Sequence, residues 1–208
     1  MRGADTSALR VLLVADVLAR ALELGGTPAV TAADPSAELQ ARADVLGIRR
    51  AEAGTTGAGP ALHVLVQGAT ALNETASDGI APDDIRIEVA PVAGTADPVL
   101  LRMILLAAPR REPVDLATAD LEGARKTLAR WRKAVATWAT RPSRPVPEAV
   151  RQDLRAAWEN DLDVPAVLDV LRRVESTEDM PDGARFETYA YADRLLGLEL
   201  TRDIGSVL

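Results

Sequence analysis

The sequence predicts a small α/β layer over residues 1–96 and an all-α bundle over residues 97–208, on three observations. Two short runs, Leu62-His63-Val64-Leu65-Val66 and Ile85-Arg86-Ile87-Glu88-Val89, have strand patterning, and both lie in the first half. Apolar residues at three- and four-residue steps open the chain and then run almost unbroken from Asp97 to its end. Prolines punctuate that second half at Pro113, Pro142, Pro145, Pro165 and Pro181, intervals suited to helix boundaries. The boundary is placed near Gly94–Asp97.

Residues 7–24 read as the first helix, with Leu9, Leu12, Leu13, Val17, Leu18, Ala21 and Leu22 on its apolar side. Thr6 or Ser7 is expected to cap its start and Gly25-Gly26 to end it. Pro28 to Ala32 reads as a short strand, and Ser36 to Gly47 as a second helix. A Gly-rich loop (Gly54, Gly57, Gly59) leads into the strand at 62–66, and 73–82 reads as loop or a short helix. Ile85 to Val89 alternates apolar and charged residues, as a strand with one wet face does. Helices follow at about 97–108, 118–140, 147–159, 165–175 and 183–198.

With 208 residues, 48% hydrophobic and 26% charged, the chain can bury a real core. It has no cysteine, which excludes disulfides and thiolate metal sites. Nothing resembles a signal-peptide apolar region, and no apolar run approaches the ~20 residues of a membrane helix. The expectation is a cytoplasmic protein with no membrane partner. Arginine outnumbers lysine 22 to 2, which reads as coding bias before adaptation. The net charge of −7 is uneven: residues 1–100 carry −6, residues 101–150 carry +5, and residues 151–208 carry −6. An acidic protein binds nucleic acid poorly in general, so any such role rests on the basic middle.

Four patches resemble cysteinyl-tRNA synthetase, a class I synthetase, and its close relative the cysteine ligase of mycothiol biosynthesis. Ala15-Asp16-Val17-Leu18-Ala19-Arg20 is similar to the Phe-Asp-Val-Leu-Arg-Arg of the family's first helix, with Arg10 at the place of the arginine just after the family's His-Ile-Gly-His. Ala43-Asp44-Val45-Leu46-Gly47-Ile48 is similar to a segment between the halves of the family's nucleotide fold. Asp97-Pro98-Val99-Leu100-Leu101-Arg102-Met103-Ile104-Leu105-Leu106 resembles an Asp-Pro-x-x-Leu-Arg-x-x-Leu-Leu helix, and Arg111 to Leu116 the strand-like tail after it. Asn160-Asp161-Leu162-Asp163-Val164-Pro165-Ala166-Val167-Leu168 resembles a helical-bundle motif, and Trp131-Arg132 leans toward the mycothiol side. Together the patches cover about half of the chain. The implied fold is a truncated α/β remnant of a class I synthetase nucleotide-binding fold followed by an all-α helical bundle.

The resemblance also shows what is missing. The family's His-Ile-Gly-His, which meets ATP phosphates at a helix N-terminus, is replaced by Asp5-Thr6-Ser7-Ala8. Asp5 would repel phosphate there. The family's Lys-Met-Ser-Lys-Ser loop corresponds to Ala90-Pro91-Val92-Ala93-Gly94-Thr95-Ala96, without a lysine. A zinc site of the family type needs Cys, His and Glu, whereas this chain has no Cys and one His. No catalytic residue, metal or cofactor is expected. The expected function is that of a catalytically inactive binding or regulatory module, paired with itself or with another protein. The alternatives are a tRNA- or RNA-binding protein and a ligase that adenylates a small amino acid through a rebuilt site.

Other residues carry two readings each. His63 is a ligand or general base, or a structural strand residue; Gln67-Gly68-Ala69 is the remains of a Gly-rich strand end or a plain strand-to-loop turn. The 118–140 helix places Leu121, Ala124, Leu128, Trp131, Val135 and Trp138 on an apolar stripe. Arg125, Lys126, Arg132 and Lys133 fall opposite, and with Arg110 and Arg111 they are the candidate nucleic-acid residues, or else a solvated face. Trp131 and Trp138 are core anchors or a partner-facing groove. Phe186, Tyr189 and Tyr191 read as packing residues of one helix. The acidic run Glu159 to Asp163 reads as a helix cap or a cation site.

Overall fold

The computed structural model describes residues 2–52, 62–67 and 85–205. Among these the fold is mixed α/β, with seven helices and four short strands paired in parallel. The chain divides into two compact units, residues 1–101 with 110–119, and residues 102–109 with 120–208.

In the first unit, α1 (Arg2–Leu24) is the central helix. Leu9, Leu13 and Val17, at four-residue steps, are at most 1% exposed and face the core. The helix closes as the sequence predicts. Gly26 takes φ 86°, and the Gly26 and Thr27 amides return to the Glu23 and Leu22 carbonyls, a Schellman closure. Its start differs from expectation. The helix begins at Arg2, so Asp5-Thr6-Ser7-Ala8 lies within its first two turns, and Thr6 and Ser7 are not caps. The segment at 28–32 makes one parallel bridge, Ala32 to Glu52, instead of a strand. Pro28 lacks an amide to donate, and Val30 stands 72% exposed. Ser36 caps α2 (Ala37–Val45) by accepting from the Leu39 amide.

The strands β1 (Leu62–Val66) and β2 (Ile85–Val89) pair in the register Leu62–Ile85, Val64–Ile87, Val66–Val89. Alternation gathers these six apolar residues on one face and puts His63, Leu65, Arg86 and Glu88 on the other. Arg86 and Glu88 are exposed, as a wet face requires. A second pair, β3 (Val92–Ala93) with β4 (Val114–Asp115), joins residues from either side of α3 (Pro98–Ala107), and the division between the units falls inside that helix. The expected elements at 54–60 and 73–82 lie outside the described residues.

The second unit is helical. Its helices are α4 (Leu121–Trp138), α5 (Glu148–Glu159), α6 (Val164–Ser176) and α7 (Asp182–Leu196), each within three residues of its expected limits. Asp120 and Asp163 cap α4 and α6 by accepting from the Gly123 and Ala166 amides. α7 packs against α4, α5 and α6 and forms the axis of the bundle. Tyr189 at its middle is fully buried between Trp131 and Trp138, with ring centroids 5.6 and 5.2 Å away in edge-to-face arrangements.

Candidate functional site

The sequence directs attention to the first turns of α1 and to the Ala90–Ala96 segment, and the structure brings the two together within the first unit. Thr6 is fully buried and Ser7 is 7% exposed. The Ser7 hydroxyl accepts from the Val92 amide at 2.9 Å and lies 3.3 Å from the Val92 carbonyl, to which it donates. The Thr6 hydroxyl donates to the Gly94 carbonyl at 3.2 Å. One turn on, the Arg10 guanidinium is 1% exposed and donates to the Ala90 carbonyl at 3.0 Å and the Glu112 carbonyl at 2.7 Å. Burial pushes Arg10 down to about 10, against the pull of Glu112, so it stays charged at neutral pH.

This arrangement has a plain chemical consequence. A helix N-terminus holds phosphate when its first amides and nearby side chains face an open site. Here the side chains at the second turn of α1 are spent on the backbone of β3 and its flanks. Ser7, Thr6 and Arg10 act as stitches between α1 and residues 90–94. Sequence reasoning missed this role. Its one signal is the pair of small hydroxyl residues in line with the buried Leu9 and Leu13 stripe, where a polar side chain needs an internal partner.

A second polar cluster lies further along α1. Asp16 is 3% exposed and takes the Arg20 guanidinium at 3.0 Å and that of Arg49 at 2.8 Å; Arg49 also reaches Glu23 at 2.9 Å. The acid is satisfied by two cations, so it ties α1 to the segment after α2. His63 is half-buried on β1, opposite Arg86 in register. Gly68 and Ala69 lie outside the described residues. Among those residues, no three His, Asp or Glu side chains gather as metal ligands would, and no helix is long and apolar enough to cross a membrane.

The candidate nucleic-acid residues fall into different settings. Arg110 belongs to the first unit and donates to the Glu88 carbonyl at 2.7 Å; Arg111 is exposed there. On α4, Arg125 and Lys126 are 60% and 73% exposed and share Glu122, at 3.9 and 3.6 Å. Lys133 is exposed. Arg132 is 15% exposed and turns inward, donating to the Leu198 carbonyl at 2.7 Å and that of Glu199 at 3.2 Å. The four α4 cations therefore do not present one face to solvent. Trp131 is fully buried, with its indole donating to Glu175 at 3.0 Å, and Trp138 is 8% exposed. Both rings are core anchors of the second unit. In the run Glu159 to Asp163, Asp163 serves as the α6 cap, while Asp161 and Leu162 turn the chain with φ 53° and 58°.

No known family profile matches the chain. Over 109 residues it is 36% identical to the L-cysteine:1D-myo-inositol 2-amino-2-deoxy-alpha-D-glucopyranoside ligase of Streptosporangium roseum. The proteins of that name from Nocardiopsis dassonvillei and Streptomyces avermitilis are 38% and 35% identical over 108 residues. The matched segment is 50% of this chain but 26%, 26% and 25% of the three ligases, so the chain spans about a quarter of the length of the curated relatives it matches. The findings support a distant relationship to this cysteine ligase, at the level of a fragment.

Proposed function

We propose that the chain is a catalytically inactive relative of the class I cysteine-activating ligases and serves as a protein-binding module. The observation that carries this reading is the closure of α1 onto residues 90–94. Thr6 and Ser7, the middle of the tetrapeptide at the place of the ligases' His-Ile-Gly-His, are buried and bonded to the segment at the place of their lysine loop. On this reading the two segments at the places of the ligases' phosphate clamps are bonded to each other. A phosphate entering there would have to break three internal hydrogen bonds and meet no replacement cation at residues 90–96.

The test is exchange of labelled pyrophosphate into ATP with cysteine and a broad amino-acid panel, beside calorimetric titration with ATP. The expected result is no amino-acid-dependent exchange and no ATP binding at millimolar concentration. Exchange above background with any amino acid would overturn the reading in favour of a rebuilt adenylating site. Native mass spectrometry of the chain purified from its host then separates the possible occupants, a second copy or another protein.

A second reading, RNA binding through α4, has one observation in its favour: Arg125 and Lys126 share a single carboxylate, and Lys133 is exposed about two turns away. It requires an affinity that falls steeply with salt and is lost in Lys126→Glu with Lys133→Glu. An affinity indifferent to salt would remove it.

A further inference from the structure

We propose that Ser143 is a phosphorylation site, and that its modification releases the segment between α4 and α5 from the start of α7. Four serines fall among the described residues, and three are committed to the fold. Ser7 is bonded to β3, Ser36 caps α2, and Ser176 bonds the last carbonyls of α6. Ser143 stands apart. It is exposed, on the stretch from Pro142 to Val146 that lies outside helix and strand. Pro142, Pro145 and Pro147 fix φ along that stretch and bias the residues before them toward extended backbone, the form in which a kinase cleft takes a substrate. Arg141 at −2 and Arg144 at +1 are both exposed, and the Arg141 ion pair with Asp182 is long at 3.8 Å. Exposed guanidiniums on either side of a hydroxyl are what an arginine-directed serine/threonine kinase reads with its own carboxylates.

The structure also supplies a consequence. The Ser143 hydroxyl donates to the Glu187 carboxylate on α7 at 2.6 Å. Beside it, the Pro142 carbonyl lies 2.0 Å from the place a Cβ on Gly183 would occupy, so the segment sits directly on the first turn of α7. In the transfer, the Ser143 oxygen bonds to the γ-phosphorus of a nucleoside triphosphate, the bridging P–O bond breaks and the nucleoside diphosphate leaves. The hydroxyl proton passes to the kinase's base. The donor to Glu187 is then gone, and a phosphate of about −1.5 to −2 charge faces that carboxylate. Like charges at this range push the segment off α7, toward solvent and the flanking Arg141 and Arg144.

The experiment treats the full chain with the catalytic subunit of an arginine-directed serine/threonine kinase and ATP, then maps phosphate by tandem mass spectrometry. Hydrogen exchange in residues 182–188 is compared before and after. Phosphate at Ser143 is expected, lost in Ser143→Ala and reduced in Arg141→Ala with Arg144→Ala. Exchange in the first turns of α7 should quicken by roughly tenfold, as expected when a dianion weakens a contact with a carboxylate in a water-like dielectric. Glu187→Gln should still accept phosphate but lose most of that acceleration. Incorporation unchanged in Ser143→Ala overturns the proposal, and so does phosphate at Ser143 with unaltered exchange in α7.

Discussion

Residue by residue, the polar groups that looked functional in the sequence mostly hold the fold together. Ser7 is the clearest case, because its hydroxyl both accepts from and donates to Val92 in a buried setting. Ser7→Ala leaves the Val92 amide without that acceptor and should lower stability by about 1–3 kcal/mol, read as a fall in the urea midpoint. ATP binding should not appear in the variant. Tyr189 gives a prediction in pH. Burial, and the nearby Glu175 charge, raise its phenol above the ordinary 10.0, against Arg130, Arg172 and Arg185. The unfolded chain therefore releases this proton first. The contribution is fully present below about pH 10 and lost as pH climbs above it. Tyr189→Phe should flatten that alkaline loss while costing about 1 kcal/mol at neutral pH, since the hydrogen bond to the Leu171 carbonyl goes with the hydroxyl. Thermal melts between pH 8 and 11 would show whether the slope depends on this residue.

At the level of elements, the sequence located helices better than strands. The later helices stand out because an apolar stripe coincides with a boundary signal, a capping Asp at the start of α4 and α6 and a proline at the start of α5 and α7. The segment 28–32 failed because strand propensity is a statement about a partner surface, and among the described residues this segment pairs through a single bridge at Ala32. β3 and β4 are two residues each, too short to show any period, and they pair across 20 intervening residues. Local propensity also misjudges Gly183. Alanine inside a helix is ordinarily better than glycine by about 1 kcal/mol. Here its Cβ would meet the Pro142 carbonyl at 2.0 Å, and a backbone group cannot swing aside as a long side chain can. Gly183→Ala should therefore destabilise by about 1–3 kcal/mol net. A variant that melts at a higher temperature than the parent would contradict the close approach.

Across the whole molecule, charge and chemistry point the same way. A chain of net charge −7 should not gather polyanions by long-range attraction, and part of its basic middle is consumed internally, by Arg132 on the 198–199 carbonyls and by Arg130 on Glu175. Random-sequence RNA should consequently show no retention at about 150 mM salt, where the screening length is about 8 Å. Gel-shift titration at that salt checks this, and tight binding there would revive the α4 reading. All three tryptophans, Trp131, Trp138 and Trp158, lie in the second unit, so emission is a ready report on that unit alone during such titrations.

The sequence by itself determined the mixed α/β class, the positions of the helices and the distant kinship with the ligases. Those features rest on periodicity, caps and motif order, all of which are local along the chain. Only the tertiary structure decided what the polar residues do. Thr6 and Ser7 read as vacated catalytic ground, yet with Arg10 they bond segments 80 or more residues away. Arg132 read as surface and is tied inward, while Trp131 and Trp138, open to two roles, close around Tyr189. A side chain's partner across space is fixed by packing, and no spacing along the chain encodes it.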